Sequence, residues 1–344
     1  MNSLERIQSV MTGQIPDRVP VCLHNFLLAC HEAGIPVDQY RLNARLIAEV
    51  HLKALEKYEY DCVLIDLDTT MAAEAMGAVS EVAPNGVGSI HGTLLRSLDE
   101  VKKLKVLDPY KDGRIPVLLE SIHILKEKLG GEFAIRGNCD QGPFSLAALL
   151  RGMNDFMMDL ADDPDHPAIR DLLEITYQSH LKIHEAVHAA GATMTSLGDS
   201  VSGPDVLSPK MFTSFARGYH ERLLKDLSDR GIFTVIHICG NTTRILEQLA
   251  QYPFCGFELD YKTDSAKAKD LVGKDHVLLG NIDPSSILAF GTPESVAEKT
   301  RELITLWKPG GKFILNAGCA INANTPSDNL LSMMRTLRQE GLYA

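Results

Sequence analysis

Aromatic residues are scarce in this chain of 344 residues, at 6%, and there is one tryptophan. Hydrophobic residues still make up 45%, so a core of ordinary size has to be packed mainly from aliphatic side chains. Basic residues are outnumbered, with Lys+Arg 34 against Asp+Glu 45 and a net charge of −11. Nucleic acid and anionic membrane surfaces both select for a basic face, so neither is expected as a partner. No apolar run approaches the roughly 18–20 residues of a membrane span. The first residues, MNSLERIQSVMTGQIPDR, read as an amphipathic helix with charges in it, not as a secretory leader. The seven cysteines are odd in number and scattered, which is not a disulfide framework. What remains after these absences is a cytoplasmic enzyme with reduced thiols.

What is present is a rhythm. Short β-branched or aliphatic runs alternate with longer amphipathic segments. The strand candidates are VPVCLHN (19–25), CVLIDLD (62–68), FAIRGNCD (133–140), MTSLGDS (194–200), FTVIHIC (233–239), FCGFELD (254–260), VLLGNID (277–283) and KFILNAG (312–318). Thr292-Pro293 and Thr325-Pro326 each place a capping hydroxyl before a proline suited to a first helical turn. Eight strands separated by helices predict an α/β fold, a (β/α)8 TIM barrel formed by residues 1–344 as one domain with an N-terminal helical extension. The interval between the second and third strands is too long for one helix and predicts a hairpin or small insertion around 78–115.

Every predicted strand ends in polar residues, as the active-site mouth of a barrel requires. His24 and Asn25, Asp66 and Asp68, Asn138 and Asp140, Asp199, His237 and Cys239, Glu258 and Asp260, Asn281 and Asp283, and Asn316 stand at those ends. Residues two apart on a strand point to the same side, so His237 and Cys239 can converge on one point. Cys319, just after the last strand, supplies a third soft donor. One imidazole and two thiolates suit Zn2+ and leave a position open for substrate. The competing reading is that all three are ordinary buried residues. Cys22, Cys62 and Cys255 read as core, Cys30 as helical, and Cys139 as a strand-end residue turned from the mouth. His180, His184 and His188 recur at helical spacing, and the interleaved Lys182 and Glu185 make a solvated face the expectation for them.

Several blocks together resemble a known family. HICGNTTRIL (237–246), LDYKTD (259–264), LLGNIDPSSILAFGTPESV (278–296) and GGKFILNAGC (310–319) are similar to signature blocks of the uroporphyrinogen decarboxylase superfamily. ERIQSVMTGQIPDRVPV, GPFSLAALLRG (142–152) and GDSVSGPDVLSP (198–209) fit as well. The likeness runs nearly end to end and is strongest to the branch of zinc-dependent corrinoid methyltransferases. That resemblance implies His237, Cys239 and Cys319 as zinc ligands and an acidic residue, Asp260, at a strand end. It departs from the family after Cys319, where CAINANTP stands in place of a proline-rich run, and at Ala317, where proline is frequent.

The resemblance implies a methyltransferase that moves a methyl group between a corrinoid (methylcobalamin), supplied by a small corrinoid-binding partner protein, and a zinc-activated small-molecule methyl donor or acceptor. The acceptor would be a thiol such as coenzyme M, and the donor a methoxylated or methylated compound. A homodimer is compatible with the chain. Asp199, Glu258 and Asp260 are candidates for orienting His237 or filling a fourth metal position, and equally for capping strand ends. His24, Asn138, Arg136 and Asn281 are candidates for substrate contact, with Arg136 able to bind an anionic group or to serve as an ion-pair partner inside the barrel. Two alternatives stand beside this reading. A metal-free uroporphyrinogen decarboxylase would need arginines after the first strand to hold a substrate with eight carboxylates, yet no Arg or Lys lies between Arg18 and Arg41. A non-catalytic corrinoid-protein partner on the same fold would have no use for an open zinc position.

Overall fold

The strand and helix rhythm closes on itself. The computed structural model describes residues 1–83 and 86–343. Its strands are β1 (Cys22–Leu23), β2 (Cys62–Ile65), β3 (Ser80–Val82), β4 (Gly88–Ile90), β5 (Ala134–Gln141), β6 (Met194–Gly198), β7 (Thr234–Ile238), β8 (Gly256–Leu259), β9 (Val277–Ile282) and β10 (Phe313–Ala317). Eight of them form one sheet in the order β1-β2-β5-β6-β7-β8-β9-β10, with parallel neighbours throughout. A parallel bridge from Val21 to Leu315, with Leu315 N donating to Pro20 O at 2.8 Å, joins the last strand to the first. The result is the (β/α)8 barrel that the alternation predicts. The expected insertion is present too: β3 and β4 pair as an antiparallel hairpin, followed by a short 3-10 turn over Leu98–Lys103.

Two-residue periodicity sorts each strand into an inner and an outer row. Cys62, Ala134, Met194, Val235, Val277 and Ile314 point inward and pack as one buried cluster. The outer row, with Ile236, Ile238, Phe257 and Leu259 among it, packs against the surrounding helices. The inner cluster does not close its own bottom end. The N-terminal helix Ser3–Met11 does so, with Ile7 and Val10 fully buried against the inner strands. Asn2 and Glu5 form a capping box at its start. Asp61, at 0% exposure, ties this plug to the barrel by accepting from Ser3, Arg6 and Arg18 and from the Val21 N–H.

The histidine stripe departs from expectation. His180 and His184 lie on the buried side of the helix Pro167–Ala189, and His188 alone of the three is exposed. His184 Nδ1 sits 2.7 Å from Thr195 Oγ1 on β6. Burial lowers the pKa of both buried rings, that of His180 to about 4, so they stay neutral. The helical period identified the stripe, but the flanking Lys182 and Glu185 pointed to the wrong face.

Candidate metal centre

His237 is inward-facing because Val235, two residues earlier, belongs to the inner cluster. Cys239 continues that row past the strand end. The turn after it needs glycine: Gly240 has φ +85°, and a Cβ there would lie 2.1 Å from Asp205 Oδ2. Cys319 follows Gly318, where a Cβ would lie 2.4 Å from the Tyr261 backbone nitrogen. The two loops therefore approach more closely than any side chain at residue 318 would allow.

Among the described residues, His237, Cys239 and Cys319 form a group whose ligating atoms all lie within 4.8 Å of one another. His237 Nε2 and Cys239 Sγ are 3.1 Å apart. Tetrahedral zinc with bonds of about 2.0–2.3 Å separates its ligands by roughly 3.5–3.8 Å, so this donor set fits zinc with small adjustments. His237 Nδ1 donates to the Glu258 carbonyl oxygen at 2.8 Å, which leaves Nε2 as the free coordinating nitrogen. Ser200 Oγ stands 3.4 Å from Cys239 Sγ. The Cys239 thiol is lowered to about 3, first by the Cys319 thiol hydrogen bond and then by His237, against the effect of burial. Burial disfavours the His237 imidazolium, but Cys239 and Glu258 outweigh it and raise its pKa to about 10. The cluster thus favours a thiolate, the form a soft metal binds.

Below the three donors lies a ring of charge. His24 Nε2 is 2.7 Å from Asp66 Oδ2, and its Nδ1 is 3.6 Å from Glu258 Oε1. Arg136 pairs with Glu258, and Asn316 Nδ2 donates to Glu258 Oε1 at 3.1 Å. Burial works against charge on His24, yet Asp66 and Glu258 raise it to about 9. Glu258 is held well below the carboxylate range by Arg136 and His24, again against burial. A second buried cluster stands beside it: Asp68 contacts Arg41 at 2.8 Å and Arg114 at 2.9 Å, and both arginines also meet Glu74. A cavity of about 120 Å³ opens above, lined by His24, Phe26, Leu64, Asp66, Asp68, Thr69, Val87, Arg136, Asn138, Gln141, Leu197, Gly198, Ser200, His237, Cys239, Glu258, Cys319 and Ala320. Val87 brings the β3–β4 insertion to the edge of this cavity.

The sequence candidates divide. His24, Asn138, Arg136, Glu258, His237, Cys239 and Cys319 all line the cavity. Asp199, Asp260 and Asn281 do not. Asp199, fully buried, accepts from the Ser145 N–H at 2.7 Å and meets His220 Nε2 at 2.6 Å. Asp260 Oδ2 accepts from Gly240 N at 2.8 Å and so clamps the turn after Cys239 without touching His237. Asn281 Nδ2 donates to the Asp260 carbonyl at 3.3 Å. Among the described residues no carboxylate is hydrogen-bonded to His237; the Glu258 backbone carbonyl orients it. Of the two sides of the Arg136 alternative, the ion pair with Glu258 is the one present. Gln141 and Ser200 were missed as site residues. The signal available for them was their position, each one residue beyond a strand-end aspartate.

The fold with this mouth, an imidazole and two thiols over buried ion pairs, is that of a TIM-barrel enzyme. The chain belongs to the uroporphyrinogen decarboxylase family, matched over residues 2–340. Within that similarity it is 28% identical over 342 residues to a methylcobamide:CoM methyltransferase of Methanosarcina acetivorans, covering 96% of each chain. It is 26% identical over 300 residues to a uroporphyrinogen decarboxylase of Carboxydothermus hydrogenoformans, covering 86% of this chain and 83% of that one. Among solved structures, a methyltransferase from Methanosarcina mazei matches with a TM-score of 0.90 at 26% identity, covering 98% of this chain and 99% of that one.

Proposed function

We propose that this protein is a corrinoid-dependent methyltransferase that moves a methyl group between a corrinoid, carried by a small partner protein, and a small molecule held at a zinc site made by His237, Cys239 and Cys319. The observation that carries the reading is the convergence of those three donor atoms within 4.8 Å at the edge of a barrel-mouth cavity. The similarity to methyltransferases at both sequence and structure level supports it. Zinc bound there would supply Lewis acidity, keeping a thiol deprotonated at neutral pH or polarising the leaving atom of a methyl donor.

The chain's own residues do the rest. Glu258 O fixes the His237 tautomer so that Nε2 faces the mouth. The Ser200 hydroxyl, 3.4 Å from Cys239 Sγ, donates to the thiolate and moderates its charge. Asp260 holds the Gly240 turn that sets the Cys239 backbone. Phe26, Leu64 and Leu197 line the cavity with apolar surface and exclude water from the reacting atoms. The open side of the mouth leaves the in-line approach that displacement at a methyl carbon requires.

The decarboxylase alternative is disfavoured by the same cavity. Among the described residues Arg136 is the arginine that lines it, and it is paired with Glu258; Arg41 and Arg114, behind Asp68, are paired with carboxylates too. Metal analysis of the purified protein is the direct test, with about one zinc per chain expected. Cys239→Ser and Cys319→Ser should each lose that zinc and more than about 100-fold in methyl transfer. Cys255→Ser, a change in the helix-facing core, should keep both. A zinc-free wild-type protein, or full zinc in both ligand variants, would refute the reading. Transfer from methylcobalamin to a panel of thiols, and from methoxy compounds to cob(I)alamin, gives the direction.

A further inference from the structure

We infer that the part of the substrate entering this cavity is uncharged: a small thiol or methyl-bearing compound with neither a sulfonate or carboxylate nor an ammonium on the portion next to the metal. The inference rests on the zinc-site reading above and adds to it the substrate class.

Every ionised side chain on the cavity wall is already committed to an opposite charge. Asp66 is matched by His24, Glu258 by Arg136, and Asp68 by Arg41 and Arg114. Two thiolates and a zinc dication also cancel. Among the described residues an anionic tail would therefore find no free cation and a cationic tail no free carboxylate, and an unpaired ion in a confined site is strongly disfavoured. A neutral His24 would offer even less to an anion, and the exclusion of a cation rests on the His24 ring staying 2.7 Å from Asp66 as its partner.

Arg136 is the strongest objection. Its Nε and Nη1 are buried and lack a partner among the described residues. They are sealed from solvent, however, on a residue with 2% exposure. An anion meeting those two N–H groups would face a guanidinium whose charge Glu258 already balances, and His24 and Asn316 hold that carboxylate in place.

The polar groups left to meet a ligand are neutral. Asn138 uses its carbonyl oxygen for Ser196 and Gln141 its carbonyl oxygen for the Ser200 N–H. Both residues line the cavity with Thr69, and their amide nitrogens and the Thr69 hydroxyl are uncharged donors. The space beside the metal site is small, about 120 Å³, and suits a short body.

Three thiols of equal length but different tails test this: 2-mercaptoethanol, 2-mercaptoethanesulfonate (coenzyme M) and cysteamine. Each is titrated into the full-length protein loaded with Co2+ in place of zinc, reading the thiolate-to-cobalt charge-transfer band, with affinities corrected for each thiol's own acidity. The zinc protein is then assayed for methyl transfer from methylcobalamin to each. Mercaptoethanol should bind at least about tenfold more tightly than either charged thiol, with the same order in kcat/KM. Ala320→Arg, which puts a guanidinium on the partly exposed residue beside Cys319, should shift the preference towards the sulfonate by about tenfold or more. Equal or tighter binding of the sulfonate or of cysteamine by the wild-type protein would overturn the inference and leave the zinc-site reading standing. A cobalt-loaded protein whose spectrum no thiol perturbs would overturn both.

Discussion

Asp140, one residue before the end of β5, has φ 71°, in the left-handed region that few residues other than glycine, asparagine and aspartate adopt readily. Its Oδ2 accepts from Ala72 N at 2.6 Å, while Oδ1 is buried without a partner among the described residues. Burial, reinforced by Asp68 and Asp66, raises its pKa from 3.8 to about 8. The folded chain therefore binds this proton more tightly than the unfolded chain does. Its contribution to stability is fully present below the unfolded value and is lost as pH rises towards the folded one. Asp140→Asn keeps an acceptor for Ala72 and removes the ionisation. Thermal unfolding should show the variant a few degrees more stable at about pH 8 and close to wild type at about pH 4. An equal gain at both pH values would mean that the backbone conformation, and not the buried charge, carries the effect.

At the level of elements, the N-terminal helix is part of the barrel and not an appendage. Ile7 and Val10 are both at 0% exposure beneath the inner strand residues. Ile7→Ala should cost about 2–5 kcal/mol in denaturant unfolding, the range for a buried large-to-small change. Zinc content should be unchanged, because the helix closes the end of the barrel opposite the mouth. Its amphipathic pattern was legible in the sequence, but its role was not. The contacts of Arg6 and Arg18 with Asp61 span 55 and 43 residues, and no local pattern announces such a pairing. The same limit explains the histidine helix. Its period was readable, whereas the side facing the barrel depended on Thr195, 11 residues beyond His184 and on a different element.

For the whole molecule, a metal that binds the folded chain and not the unfolded one must raise the unfolding temperature. Zinc at about a thousand times its dissociation constant stabilises by roughly 4 kcal/mol. Chelator treatment should lower the melting temperature of the wild-type protein, and added zinc should restore it. Cys319→Ser should abolish the response. An undiminished response in that variant would place the stabilising metal away from His237, Cys239 and Cys319. No helix among the described residues is long and apolar enough to cross a membrane. The barrel mouth, with Val87 of the insertion at its edge, is the surface on which the proposed chemistry converges.

The barrel and the convergence of His237, Cys239 and Cys319 could be read from the sequence because both rest on short-range periodicity. Strand alternation puts His237 and Cys239 on one side, and eight βα units bring the last strand, and with it Cys319, round beside the first. Which polar strand-end residues face the cavity was decided only by the tertiary structure. Asp199 and Asp260 look equivalent to Glu258 in sequence. A buried histidine from a neighbouring helix claims the first, a glycine turn the second, and a buried arginine and an imidazole hold the third in the site. A carboxylate's role is set by which charge or N–H donor folding brings within about 3 Å, and those partners lie tens of residues away along the chain.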